Sequence, residues 1–452
     1  MSYLGYPEYQ ESKAVWLGHI PSHWKVHRLK WSVTGCSNGV WGAEPDGVDD
    51  VVCVRVADFN RETLTVGIDS LTNRAVEPNQ LETRKLQRGD LLLEKSGGGE
   101  KQLVGCVVYF DHDFDAVCSN FVARMPVEPT LSARYWCYVH AGLYAGKLNY
   151  PAIKQSTGIQ NLDANEYLNT LAAYPPADEQ TQIAAFLDWK TNQIDALIAK
   201  KKELMDKLKE KRLAIITQAV TKGLDPVAPL RESGIPWVGD IPKHWEILPI
   251  KYLLTAILDT EHKTCPYYDD GEFLVARTPN IRGGKLTLDG AKYTDADGYK
   301  EWTSRGVPKP GDILFTREAP AGEACIVPND SPLCIGQRVV LFRTDSQILE
   351  SRYAIYSIYG GAARNFIEMH SLGSTVTHFN MSEIAMIPML APPISEQTNI
   401  AEYLDKQTGK IDRMIGKVES AITHLTEYRT ALITAATTGK IDVRQVAIPA
   451  PT

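Results

Sequence analysis

Two stretches of the chain place apolar residues at alternating steps of four and three over about forty positions, the signature of a coiled coil. The first reads Ile183, Leu187, Lys190, Ile194, Leu197, Lys201, Leu204, Leu208, Lys211, Ile215, Gln218. The second reads Ile400, Leu404, Gln407, Ile411, Met414, Val418, Ala421, Leu425, Tyr428, Leu432, Ala435, each position 217 residues on (396 − 179, from Glu179 and Glu396). Both stretches start alike, as PPADEQTQIAAFLD and PPISEQTNIAEYLD, and end alike, as TKGLD and TGKID. Pro-Pro followed by Asp178 or Ser395 is a helix start with a capping side chain, and neither stretch has an internal proline. At 1.5 Å per residue, roughly 42 residues make a rod of about 63 Å. Two such rods in one chain are expected to pair with each other, antiparallel. The first seam is interrupted by lysines, the second only by Gln407.

A second repeat precedes each rod. Trp16, Gly18, Ile20, Pro21 and Trp24 match Trp237, Gly239, Ile241, Pro242 and Trp245, in the pattern W-x-G-x-I-P-x-x-W. Two tryptophans, a glycine and a proline rarely coincide by chance. Their expected role is structural, as aromatic anchors that dock the start of a domain on the base of a rod. Weaker echoes follow: VCVRVADFN with LVARTPNIR, LQRGDLLLE with VPKPGDILF, SNFVARMPV with GQRVVLFRT. A Gly-Asp turn feeding a short apolar run reads as a turn and then a buried strand. Helix is expected near 133–147 and 352–368. The chain is thus a mixed α/β (α+β) protein with a pseudo-two-fold internal repeat. Its segments are a globular domain at 1–174, a helix at 175–222, a second domain at 223–391, a second helix at 392–443 and a tail at 444–452.

Composition narrows the function. The 452 residues include 48 basic and 55 acidic ones, for a net charge of −7. That argues against loose, charge-driven nucleic-acid binding while leaving local basic grooves open. The eight cysteines are scattered with no CxxC, and the ten histidines form no spaced cluster, so neither metal nor disulfide framework is expected. No apolar run is long enough to span a membrane, and MSYLGYPEYQESK lacks the regions of a signal peptide, so a reduced, cytoplasmic protein is expected.

Catalytic signatures are missing. There is no G-x-x-x-x-G-K-[ST] loop, no F-x-G-x-G cradle for S-adenosylmethionine, and neither YPPA nor APPI is an amino-methyltransferase tetrad. Side chains suited to bases and phosphates instead gather where the two repeats diverge. In the first domain they are Arg55, Lys95, Ser96, Lys101, Gln102, Asn120, Lys154 and Gln155, around the run Gly97-Gly98-Gly99. In the second they are Arg277, Asn280, Arg282, Arg317, Gln337, Arg338 and His378, with Arg343 nearby. The glycine run reads either as a close approach to phosphate or as a loop tip. Arg55 and Arg277 recur at matched positions in otherwise unlike domains, either as DNA contacts or as structural ion pairs.

WLGHIPSHW and WVGDIPKHW, GDLLLE and GDILFT, the doubled EQ-x-x-I-A-x-x-L-D start and the closing TKGLD and TGKID together resemble the specificity subunit of Type I restriction-modification enzymes, over about Glu11 to Val443. The resemblance implies two target-recognition domains, each reading half of a bipartite double-stranded DNA site, held apart by an antiparallel coiled coil. It implies two modification subunits and two restriction subunits as partners, with S-adenosylmethionine, ATP and Mg²⁺ on those partners and no cofactor in this chain. The chain itself would be non-catalytic. The alternatives are a coiled-coil scaffold or DNA-binding module of another anti-phage complex, and a self-contained nuclease or methyltransferase, whose motifs are absent.

Overall fold

The computed structural model describes residues 3–48, 50–99, 102–156, 158–261, 263–329, 332–371 and 378–449. The chain forms two compact units, Met1–Lys202 with Ser420–Thr452, and Glu203–Glu419. Each unit therefore contains a globular part and a segment of both long helices.

The long helices run Ala177–Lys222 and Ile394–Thr437. Inside the first unit Gln182 bonds the Arg444 carbonyl while Asp195 pairs with Arg429, so the segments there run antiparallel. The same holds inside the second unit, where Arg212 pairs with Asp412 and Gly223 lies beside Glu396. The seam differs in phase from the sequence expectation. Its inward positions are Leu187, Thr191, Ile194, Ile198, Lys201, Met205, Leu208, Arg212, Ile215 and Ala219, and the same positions of the second helix, Leu404, Thr408, Ile411, Ile415, Val418, Ile422, Leu425, Arg429, Leu432 and Ala436. Every second expected position was one residue early. Leu197, Leu204, Met414 and Tyr428 are 43–47% exposed, and Lys190, Lys211 and Gln218 leave the seam for Thr191, Arg212 and Ala219. A four-three and a three-four alternation share every seventh residue, so periodicity alone leaves two phases open.

The repeated Glu-Gln at each helix start ties the helix to its domain. Gln180 is buried and donates to the Pro175 carbonyl while accepting from Ser132, the capping residue of the helix Ala133–Ala145. Gln397 is also buried, donates to Pro392 and Ile348, and accepts from Glu350, which caps Ser351–Tyr359. Glu179 binds the hydroxyl of Tyr6 and sits 2.9 Å from His23, and Glu396 sits 2.9 Å from His244. These histidines precede Trp24 and Trp245, both 1% exposed, so the W-x-G-x-I-P-x-x-W motif is the anchor at the helix base. The far end of the other long helix completes the same anchor. Gly439, at φ +70°, leaves room for Pro21 and Trp24, and Lys440 bonds the carbonyls of Leu17 and His19. In the second unit Gly223, at φ +73°, lies beside Trp245.

Each globular part holds two small sheets. In the first unit the strand Leu91–Glu94 is flanked by Val122–Met125 and Val107–Tyr109, all antiparallel. In the second unit Ile313–Thr316 is flanked likewise by Val339–Thr344 and Ala324–Ile326. The Gly-Asp turn feeds both strands. Asp90 accepts from Gln87 N–H and pairs with Arg124, and Asp312 accepts from Lys309 N–H and pairs with Arg343. Arg343 therefore braces a turn, a correction to its placement among the base-reading candidates. The second sheet of each unit is three-stranded and contains one parallel pair: Asp50–Val54 with Ala116–Cys118, and Phe273–Ala276 with Leu333–Ile335. Helix appears at Ala133–Ala145 as expected, whereas 352–368 divides into Ser351–Tyr359 and Gly361–Ser371 where Gly361 turns to φ +68°.

Candidate nucleic-acid interface

The parallel pairs deliver matched side chains at their carboxyl ends. Val54 and Cys118 are the last partners in the first unit, and the chain emerges there as Arg55 and as Ser119-Asn120. Ala276 and Ile335 are the last in the second, and the chain emerges as Arg277 and as Gly336-Gln337. The junctions are pinned identically, with Ser119 N–H on the Val54 carbonyl and Gly336 N–H on the Ala276 carbonyl, each at 2.9 Å. An arginine and a side-chain amide thus stand side by side at both strand ends, the pair of groups suited to guanine, adenine or phosphate. Crevices at the carboxyl ends of parallel strands are where open α/β sheets commonly bind ligands.

The two arginines sit in one backbone frame with different partners. Each begins a single 3₁₀ turn, and the third residue of that turn binds back to the arginine N–H: Asp58 to Arg55 at 2.8 Å, Asn280 to Arg277 at 3.2 Å. The Asp58 carboxylate also holds the Arg55 guanidinium, at 3.2 Å from Nε and 2.8 Å from a terminal nitrogen. The Asp58 hydrogen bond, with its charge, raises the Arg55 pKa above its ordinary value. For Arg55 the ion-pair reading holds. Arg277 has no such carboxylate: it donates to the Gly290 carbonyl at 2.6 Å, lies 5.6 Å from the Tyr267 ring, and its buried Nε has no protein partner. Arg277, Gln337 and Arg338 line one cavity of about 270 Å³ together with Thr264, Tyr267 and Thr278.

The other candidates separate. Lys95 and Arg317 occupy equivalent edges, Lys95 N–H bonding the Phe121 carbonyl and Arg317 N–H the Arg338 carbonyl. Lys95 also holds Asn38 at 2.7 Å, and Ser96 holds Asn161 at 2.6 Å. Asn120, Gln102, Gln155 and Arg282 are exposed, and exposed Lys154 pairs with Asp163 at 2.7 Å. His378 bridges Arg317 at 2.9 Å and Glu318 at 3.0 Å, and Glu318 also binds Arg338 at 2.8 Å. Two candidates are corrected. Asn280 is fully buried and spends its amide on the Thr287 and Asp289 carbonyls, so it braces a loop and presents nothing to a base. Arg317 is 6% exposed and acts behind His378. Lys101 lies outside the described residues. In the glycine run Gly97 and Gly98 take φ +132° and +64°, and a side chain on Gly98 would strike the Gln102 carbonyl, so the turn itself requires glycine.

Several neighbours escaped the sequence reading. Phe121, 48% exposed, stands beside Asn120, and Tyr267 stands over Arg277. Phe121 occupies the position of Arg338 in the aligned strand echo, a divergence within a matched frame that could have flagged it. A further repeat, RYWCY at Arg134 and RYAIY at Arg352, holds the helices to the domains: Arg134 and Tyr138 bind Asp188, and Arg352 and Tyr356 bind Asp405. Spacing alone showed this repeat too.

Known proteins carry the same organisation. Residues 243–422 match the family described as the Type I restriction modification DNA specificity domain. The putative type I restriction enzyme MjaX specificity subunit of Methanocaldococcus jannaschii is 22% identical over 437 residues, covering 95% of this chain and 96% of that protein. The EcoKI specificity subunit of Escherichia coli K12 is 24% identical over 212 residues, 45% of this chain and 44% of that one. Among solved structures, a chain from a study of complex assembly and conformational transition in the type I R-M system aligns with TM-score 0.68 at 15% identity, over 92% of this chain and 98% of that one. The HsdS subunit of Thermoanaerobacter tengcongensis aligns with TM-score 0.50 at 16% identity, over 93% and 98%. With two diverged readers on a doubled helical frame, and these likenesses along nearly its whole length, the chain belongs to the specificity-subunit family of type I restriction-modification enzymes.

Proposed function

We propose that this chain recognises DNA sequence for a type I restriction-modification complex, each unit reading one half of a bipartite duplex site. The observation that carries this reading is the repeated delivery of an arginine and an amide, Arg55 with Asn120 and Arg277 with Gln337, at the ends of matched parallel strands. Around those fixed points the loops differ, which is what two readers of unlike half-sites need. The long helices set the length of the unread gap and dock the modification subunits. Two modification subunits supply adenine methylation with S-adenosylmethionine, and two restriction subunits supply ATP- and Mg²⁺-dependent cleavage. The chain itself performs no chemistry.

The test compares electrophoretic shift of duplex DNA by the chain alone and by the chain co-expressed with its methyltransferase partner. Sequence-specific retention is expected with the partner, and no methylation, cleavage or ATP hydrolysis by the chain alone. Methylation-sensitive long-read sequencing of host DNA then reads out the site, expected as two short half-sites flanking a fixed gap. A continuous site, or turnover by the isolated chain, would overturn the assignment.

A further inference from the structure

We propose that the cavity beside Arg277 is a phosphate-binding subsite of the second unit, created by the exchange of a carboxylate for Asn280; this rests on the DNA-reading function above. The first unit shows the closed version. There Asp58 occupies both the Nε and a terminal nitrogen of Arg55, cancelling its charge and filling its hydrogen-bonding fork. The second unit keeps the turn, the strand junction and the arginine but replaces the carboxylate with an amide that faces loop carbonyls. A buried guanidinium nitrogen without a partner is costly unless a ligand or water completes it. Arg277 Nε is in that state, and Arg277 lines the cavity of about 270 Å³.

The walls favour an anion. No carboxylate is among the lining residues, which include Thr264, Thr278, Gln337 and a second guanidinium from Arg338. Arg338 shares its Nε with Glu318 at 2.8 Å, so Arg277 carries the uncompensated charge. Guanine recognition needs two neighbouring donors free in one plane. Here one terminal nitrogen is already committed to the Gly290 carbonyl at 2.6 Å, which splits the fork while leaving the charge. A backbone phosphate asks for charge and scattered donors, and that is what the cavity offers. Arg277 therefore sets the position of the second unit on the duplex, and its neighbours do the reading.

The experiment uses the full chain with co-expressed modification subunits, and measures binding to site-containing and random duplexes over a salt series. Arg277→Gln is expected to weaken binding to both duplexes roughly tenfold and to lower the slope of log affinity against log salt by about one. Arg277→Lys should keep the slope, and Arg55→Gln should leave it unchanged. Loss of preference at one base pair with an unaltered slope would show a base contact and overturn the phosphate assignment, as would wild-type binding by a folded Arg277→Gln complex. A wild-type complex that binds no duplex would sink the DNA-reading function itself, and the subsite with it.

Discussion

Arg429 Nε donates to Asp195 Oδ1 at 2.9 Å, joining the two long helices within the first unit. The repeat supplies the same pair with the roles exchanged: Arg212 Nε donates to Asp412 Oδ1, also at 2.9 Å, within the second unit. The surroundings differ. Arg429 is 12% exposed, holds both carboxylate oxygens and bonds the Glu62 carbonyl, whereas Arg212 and Asp412 are 29% and 37% exposed. Arg429→Ala is expected to cost about 1–3 kcal/mol, and Arg212→Ala well under 1 kcal/mol because solvent screens the exposed pair. Urea denaturation of both variants measures this, and equal losses would contradict the burial argument.

Gln180 is the hinge between the first long helix and the helix that begins after Ser132. Gln180→Ala leaves Ser132 N–H and the Pro175 carbonyl without their partner, two groups bonded at 3.2 and 3.0 Å. A loss of about 1–3 kcal/mol is expected, read as a lowered thermal midpoint. Gln180→Glu should fare no better, because a carboxylate would face the Pro175 carbonyl.

Histidine 140 makes stability depend on pH. It is fully buried, hydrogen-bonded to Tyr167 at 2.7 Å, and burial drives its pKa down to about 3. The folded state keeps the ring neutral, while the unfolded chain takes up a proton below pH 6.5. Its contribution is therefore complete above pH 6.5 and is lost as the pH falls toward 3, by about 2 kcal/mol at pH 5. His140→Gln should flatten the dependence of the urea midpoint between pH 6.5 and 5. An unchanged slope would assign the effect to other groups.

The two strand-end arginines should separate in stability as they do in geometry. Arg55→Ala strands the Asp58 carboxylate, whose side chain is 2% exposed, and is expected to cost about 1–3 kcal/mol, discounted because Arg55 is partly exposed. Arg277→Ala removes no ion pair and should shift the thermal midpoint little. Matching shifts for the two variants would mean that the Asp-to-Asn exchange between the repeats is inert.

The helices offer a geometric test of the proposed spacing role. Seven residues inserted after Lys202 and seven after Glu419 preserve the four-three seam in both helices. The pair is expected to lengthen the unread gap without altering either half-site, as read by methylation-sensitive sequencing. Four residues after Leu197 alone would displace Ile198, which is 8% exposed, and should lower stability instead.

By itself the sequence determined what local chemistry can specify. Heptad steps, Pro-Pro starts and the two tryptophan motifs are written in short windows, and the duplication made each one visible twice. Periodicity settled that two long helices exist, and spacing settled that Arg55 and Arg277 correspond. Tertiary structure decided whatever depends on a distant partner. The seam took the phase that buries Ile198 and Ile415 and leaves Leu197 and Met414 to solvent, since only packing distinguishes neighbouring apolar positions on a helix. Gly439 and Lys440 close the anchor around Trp24, a contact across more than four hundred residues that no window contains. The same reason separates Arg277 from Asn280. Both are polar residues of one loop, but the fold turns the amide onto buried carbonyls and leaves the guanidinium facing a cavity, because every buried polar group must find its partner where the chain happens to pass.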